Sequence, residues 1–202
     1  LVGTENLLVS SDVALKTAKE LHKPFLFFKQ SEETKKRYKK NIEWLLALSE
    51  AIQDSRIVPY FQPIWNNVTE TTEGYESLVR LISPNGEAFS PFYFLDIAKK
   101  ARLYPYITQT VLKQAILIFK KQTCGFSINL TVDDILDKNT SSFIRTVLDT
   151  YPGLKGRLTF EFVESDRFGD YIEVKEFIKE TKEHGCSIAI DDFGSGFSNF
   201  EY

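Results

Sequence analysis

Leu158-Thr-Phe-Glu-Phe-Val-Glu164, then a polar stretch with helical spacing over 170–184, then Gly185 and Ser187-Ile-Ala-Ile-Asp-Asp192, form the stretch that decides the fold. Each end is a short run of β-branched and aromatic residues closing on carboxylates, and the segment between them is long enough for a helical crossover. That is a strand–helix–strand unit in a parallel sheet. Gly185 stands where the helix needs a left-handed cap.

Working outward, the same unit recurs toward the N-terminus. Strands are expected at Val58–Ile64, Tyr75–Ile82, Gly125–Leu130 and Arg157–Val163 ahead of Ser187–Asp191, with helices near 91–102, 106–122, 133–150 and 170–184. Ser90 is the expected cap of the first of these helices, with Pro91 at its first position. Repeated units of this kind point to a parallel α/β sheet closed or covered by helices. Before it, residues 31–56 read as a connector helix capped by Ser31. Tyr38, Ile42, Leu45, Leu48 (or Ser49) and Ile52 recur on one face, opposite the solvated Lys35, Lys36, Arg37, Lys39 and Lys40. Residues 1–30 read as a helix capped by Ser11 or Asp12, ended by Pro24, followed by a strand at Phe25-Leu-Phe-Phe28. One helix and one strand cannot bury those aromatics, so this block is expected to be the end of a domain.

The 202 residues carry 43% hydrophobic and 26% charged side chains with a formal charge of −3, which fits a globular protein and disfavours a polyanion-binding one. Two cysteines make no disulfide framework and lack metal-ligand spacing. No apolar run approaches the ~18 residues a membrane span needs, and the expected location is the cytoplasm, with a membrane anchor elsewhere in the full-length protein as the alternative. The absence of Met, even at position 1, leads us to expect a fragment of a longer chain.

In such folds chemistry gathers at the C-terminal ends of the strands. There stand Glu76 with Arg80 four residues on, Asn129, Glu161 with Glu164, and Asp191 with Asp192. A charge on a buried strand costs several kcal/mol unless it is paired or bound to metal. Four strands carrying acids or amides to one rim therefore point to a cation, with a structural carboxylate network as the alternative. Oxygen donors without His or Cys favour Mg²⁺ or Mn²⁺, and this many of them suit two ions and hydrolysis of a phosphodiester. The loop Asp191-Asp-Phe-Gly-Ser-Gly-Phe-Ser-Asn199 brings backbone N–H groups within reach of such a site. His22 and His184 fall near helix ends away from the acids, and Cys186 reads as a small core residue.

Five motifs in order, Tyr60-Phe-Gln-Pro-Ile64, Gly74-Tyr-Glu-Ser-Leu-Val-Arg80, Ser127-Ile-Asn-Leu130, Leu158-Thr-Phe-Glu-Phe-Val-Glu164 and Ile188-Ala-Ile-Asp-Asp-Phe-Gly-Ser-Gly-Phe-Ser198, give residues 57–202 a resemblance to the EAL domain, a cyclic di-GMP phosphodiesterase family. The resemblance implies a TIM-barrel-like (β/α)8 fold, incomplete in this chain, and hydrolysis of cyclic di-GMP to linear pGpG with two Mg²⁺ or Mn²⁺ ions. Glu76, Asn129, Glu161, Asp191 and Asp192 would be the metal ligands, with Glu164 supporting them from behind. Glu76, Asp191 and Asp192 would be the catalytic set. Arg80 would reach a substrate phosphate, and Gln62 and Leu78 would line the nucleotide pocket. The loop from Phe193 to Phe200 would couple the metal site to a homodimer interface. The name-giving Glu-Ala-Leu is Glu-Ser-Leu here, a small change away from the ligand, and Val163 replaces the usual Thr. The family's further Lys, Glu and Gln would lie beyond Tyr202, so the fragment by itself is expected to be inactive. The alternative implied is an inactive EAL domain that serves as a cyclic di-GMP receptor. Residues 1–30 resemble the end of a GGDEF domain, which implies an upstream GGDEF or sensor domain. The expected partner is thus a cyclic dinucleotide and not a nucleic-acid polymer.

Overall fold

In the computed structural model, residues 32–163 and 172–191 are described, together with 11–12, 14–16, 18–19 and 22–25. Two compact units divide the chain, 1–43 and 44–202.

In the first unit a helix is already running at Ser11 and Asp12, so neither is its cap. Asp12 instead pairs with Lys16 one turn on, at 2.8 Å. The helix ends before Pro24 is reached. His22 takes φ 52°, and Lys23 N–H donates back to Ala18 O at 2.8 Å while His22 N–H donates to Lys19 O at 3.1 Å. This pair of bonds is a Schellman closure, which satisfies the last carbonyls without proline. Phe25 is exposed and outside any strand; Leu26–Phe28, and the expected cap Ser31, lie outside the described residues. Helix α1, Glu32–Gln53, crosses from the first unit into the second. Tyr38 and Ile42 are exposed in the first unit, whereas Leu48 and Ala51 are fully buried in the second. The expected apolar stripe therefore enters a core only over its second half.

The second unit is built on a six-stranded sheet. Its strands are β1 Ile57–Asn66, β2 Thr71–Ile82, the two-residue β3 Ala88–Phe89, β4 Gly125–Leu130, β5 Leu158–Val163 and β6 Ser187–Asp191, in the order β1-β2-β4-β5-β6 with β3 on β2. From β2 through β6 the main ladder is parallel, but β1 pairs with β2 antiparallel. That corrects a uniformly parallel reading. The link between them is a short turn, too short for a crossover, with Asn66 Oδ1 accepting from Val68 N–H at 2.8 Å and Thr69 N–H at 3.0 Å.

Helices α2 Leu95–Lys100, α3 Tyr104–Phe119, α4 Val132–Leu136, α5 Lys138–Thr150 and α6 Ile172–Glu183 complete the unit. Two expected helices are each split. Pro91 opens only a 3₁₀ turn, Pro91–Tyr93, without a side-chain bond from Ser90, because the fully buried Phe94 leaves helical geometry at φ −131°. The helix expected over 133–150 breaks at Asp137, whose extended backbone and side chain cap a new helix by accepting from Thr140 N–H at 2.8 Å. Gly185, at φ 78°, ends α6 as expected.

Strand alternation gives the sheet two unlike faces. Ile128, Leu130, Leu158, Phe160 and Phe162 are each at most 1% exposed against the helices. Phe119 of α3 stacks on Phe126 at 4.6 Å and meets Phe61 edge-on at 5.0 Å, and Gln114 Nε2 donates to Ile57 O at 2.9 Å, fixing α3 to β1. Burying a Phe or Leu side chain contributes about 1.5–3 kcal/mol, so this face holds the unit together.

Candidate functional site

The register puts Val58, Tyr60 and Gln62 of β1 opposite Arg80, Leu78 and Glu76 of β2. Glu76 lies beside Ser127, Asn129 beside Glu161, Glu161 beside Ala189 and Val163 beside Asp191. Counting alternate positions, Gln62, Glu76, Leu78, Arg80, Asn129, Glu161 and Asp191 all belong to the face turned away from the helices. The ligand positions do not form a flat row. They climb by two residues from β2 to β4 and again from β5 to β6, the stagger a sheet needs when it curls toward a barrel.

Asn129 Nδ2 donates to Glu76 Oε1 at 3.0 Å across that step. Glu161, half-buried, is held above the ordinary carboxylate range, first by burial and then by the charges of Glu76 and Asp191, with Ser127 nearby pulling the other way. Ser127 Oγ itself is buried and lacks a fully formed hydrogen bond. Glu161 therefore senses the carboxylates of two other strands. Arg80 places its guanidinium 5.7 Å above the Tyr60 ring and donates to Val79 O at 2.8 Å. Gly74, two residues before Glu76, permits the close approach of β2 to β4, since a Cβ there would lie 3.1 Å from Gly125 O.

Of the residues singled out from sequence, seven are on this face. Glu164, Asp192 and the loop 193–200 lie outside the described residues. Tyr60, which meets Arg80, and Ser127, beside Glu161, were missed as contributors, and Asp134 was missed as a structural residue of the turn after β4. Tyr60 alternates with Gln62 and was legible as its face-mate. Asp134 was legible as the far end of a Thr-x-x-Asp box: Thr131 N–H and Oγ1–H donate to Asp134 Oδ2 at 2.9 and 2.8 Å in the turn just after β4, and the carboxyl is fully buried. At the opposite ends of the strands, His184 Nδ1 meets Glu180 O at 2.8 Å and Nε2 meets Asp149 Oδ1 at 3.0 Å, which hold its pKa up. Cys186 is buried, and burial pushes its thiol up to about 11. Neither touches the site.

The family follows from this arrangement and from a direct match: residues 46–202 fit the model of the EAL domain. The chain belongs to the EAL domain family. Over 208 aligned residues it is 29% identical to signaling protein YkoW of Bacillus subtilis, covering 99% of this chain and 26% of YkoW. It is 24% identical to cyclic di-GMP phosphodiesterase PdeB of Shewanella oneidensis, covering 100% of this chain and 24% of PdeB. The chain thus spans about a quarter of the length of these curated relatives. Among solved structures, Vibrio cholerae LapD S helix-GGDEF-EAL, bound to c-di-GMP, has TM-score 0.69 at 19% identity over 99% of this chain and 49% of its own. With such neighbours the sheet of this EAL domain is a TIM-barrel-like α/β sheet. The EAL match begins inside α1, near Trp44 where the second compact unit starts, in keeping with Trp44 stacking on Tyr93 at 5.3 Å and Leu48 entering the core.

The EAL domain's donors fit a hard divalent cation in kind. They are carboxylate and amide oxygens on consecutive strands, and the mutual repulsion felt at Glu161 is what a cation would relieve. Among the described residues no three acidic, His or Cys side chains close into a cage, and Asp192 stands beyond them. No helix among the described residues is long and apolar enough to cross a membrane.

Proposed function

We propose that the protein is a cyclic di-GMP phosphodiesterase that hydrolyses the cyclic dinucleotide to linear pGpG. The observation that carries this reading is the staggered set Glu76, Asn129, Glu161 and Asp191, on one face of four strands, with the cation Arg80 and the polar Gln62 beside it. Glu76, Asn129, Glu161, Asp191 and Asp192 would hold two Mg²⁺ or Mn²⁺ ions, and Glu164 would support them. Ions bound there supply activation of water and stabilisation of charge on the phosphate. The chain's own groups do the rest. Arg80 would pair with a phosphate oxygen, Gln62 and Leu78 would line the pocket for a base, and Asn129 holds its amide against Glu76. PdeB, named a cyclic di-GMP phosphodiesterase, and LapD, solved with c-di-GMP, support the choice of substrate.

The same reading assigns 1–30 to the end of a GGDEF domain, 31–56 to a connector helix and 57–202 to the EAL portion, in a cytoplasmic protein that pairs through its EAL domains. The LapD match, which runs through a GGDEF-EAL chain and covers nearly all of this one, supports the order of segments in that assignment. The test is pGpG release by the intact protein with Mg²⁺ or Mn²⁺ and with chelator, for wild type and Glu76→Ala. Metal-dependent turnover reduced at least about 100-fold by the substitution is the expected result. Nucleotide binding without turnover in wild type would move the protein to the class of receptors.

A further inference from the structure

We infer that Tyr60 is a positioning residue for Arg80, holding the guanidinium over the nucleotide face before any ligand arrives. The inference rests on the reading of Arg80 as the phosphate-binding cation and concerns what keeps it there. Val58 and Leu78 are the register partners of Arg80 and Tyr60, so the two side chains meet across a diagonal of the β1–β2 ladder on the site face. The guanidinium carbon stands 5.7 Å from the ring centroid, within the range in which a ring quadrupole attracts a cation. Only one other contact of the guanidinium is described, the bond from its Nη1 to Val79 O at 2.8 Å. The backbone bond pins one nitrogen of the fork and the ring attracts its charge.

Tyr60 is 48% exposed, although large aromatic side chains usually bury more, and its partner on β2 is Leu78 of the pocket wall. Exposure on the site face, rather than on the helix face where Phe61 is packed, fits a ring that supports a binding group more than one that supports the core. A freely rotating Arg would have to be ordered when the phosphate binds, at a cost in affinity that preorganisation removes.

The experiment measures binding of cyclic di-GMP by calorimetry and its turnover in the intact protein, for Tyr60→Leu, Tyr60→Phe, Arg80→Ala and the Tyr60→Leu/Arg80→Ala double variant. Tyr60→Leu is expected to weaken binding and raise KM about threefold to tenfold, with kcat less affected. Tyr60→Phe, which keeps the ring, should restore binding to within about twofold. In the Arg80→Ala background Tyr60→Leu should add no further loss, because the effect passes through the guanidinium. Additive losses, or a Tyr60→Phe variant as weak as Tyr60→Leu, would overturn the inference. Wild-type protein that binds cyclic di-GMP as tightly as Tyr60→Leu would overturn it while leaving the function intact. Wild-type protein that neither binds nor cleaves the dinucleotide would overturn both together.

Discussion

Replacing Asp134 by Asn should change how the stability of this protein depends on pH, and the size of the change follows from where the carboxyl sits. Asp134 is fully buried behind the turn that follows Asn129. One oxygen accepts two bonds from Thr131, and the other, Oδ1, is buried without a full hydrogen bond. Burial raises its pKa from 3.8 to about 6, against the opposing pull of the Thr131 and Thr108 bonds, with Asp133 adding to the rise. The folded value lies above the unfolded one, so the folded state holds the proton more tightly. Stability from this group is therefore complete below about pH 4 and is lost as pH rises through 6. At about 1.4 kcal/mol per tenfold change in affinity, the loss comes to about 3 kcal/mol. In Asp134→Asn the amide oxygen can take both Thr131 bonds, and nothing in that side chain ionises. The gap between variant and wild type should thus shift by about 3 kcal/mol in the variant's favour between pH 4 and pH 7.5. Urea unfolding at a series of pH values reads this as a relative midpoint shift on the order of 1–2 M. A gap that stays constant across the range would refute the account, whatever its absolute size.

Glu161 carries the same sign of shift at the site itself. Affinity for Mg²⁺ or Mn²⁺, measured by calorimetry in two buffers of different ionisation heat, should tighten as pH rises through the acid range, with proton release on binding; Glu161→Gln should abolish that release. Gly185→Ala should destabilise by about 1–2 kcal/mol in thermal melts, because φ is 78° and the new Cβ would meet the aliphatic chain of Lys155. Gly74→Ala, pressing on Gly125 O across the ladder, should lower both stability and hydrolysis, since the strand it displaces carries Glu76.

The parallel core of the fold was legible because β4, β5 and β6 are apolar runs joined by helix-length segments, a pattern with few alternative folds. The antiparallel entry of β1 was not. Its residues read as a strand in either direction, and only the shortness of the turn after Asn66 fixes the sense. The breaks at Phe94 and Asp137 were missed for a related reason. Helical spacing runs through both, and what interrupts them is the burial of Phe94 and the capping bond to Thr140.

For the candidate site, sequence alone pointed to the residues and to the chemistry proposed for them, since charge on an apolar strand is costly enough to be conspicuous wherever it occurs. It also determined that these residues share a face, because strand alternation has period two. Tertiary structure alone decided their level along the strands. The stagger that sets Asn129 against Glu76 and lifts Asp191 above Glu161 comes from sheet register, which depends on how helices pack behind the strands. It alone decided, too, that the Tyr60 ring would lie under Arg80, since that contact crosses two strands and no spacing along the chain records it.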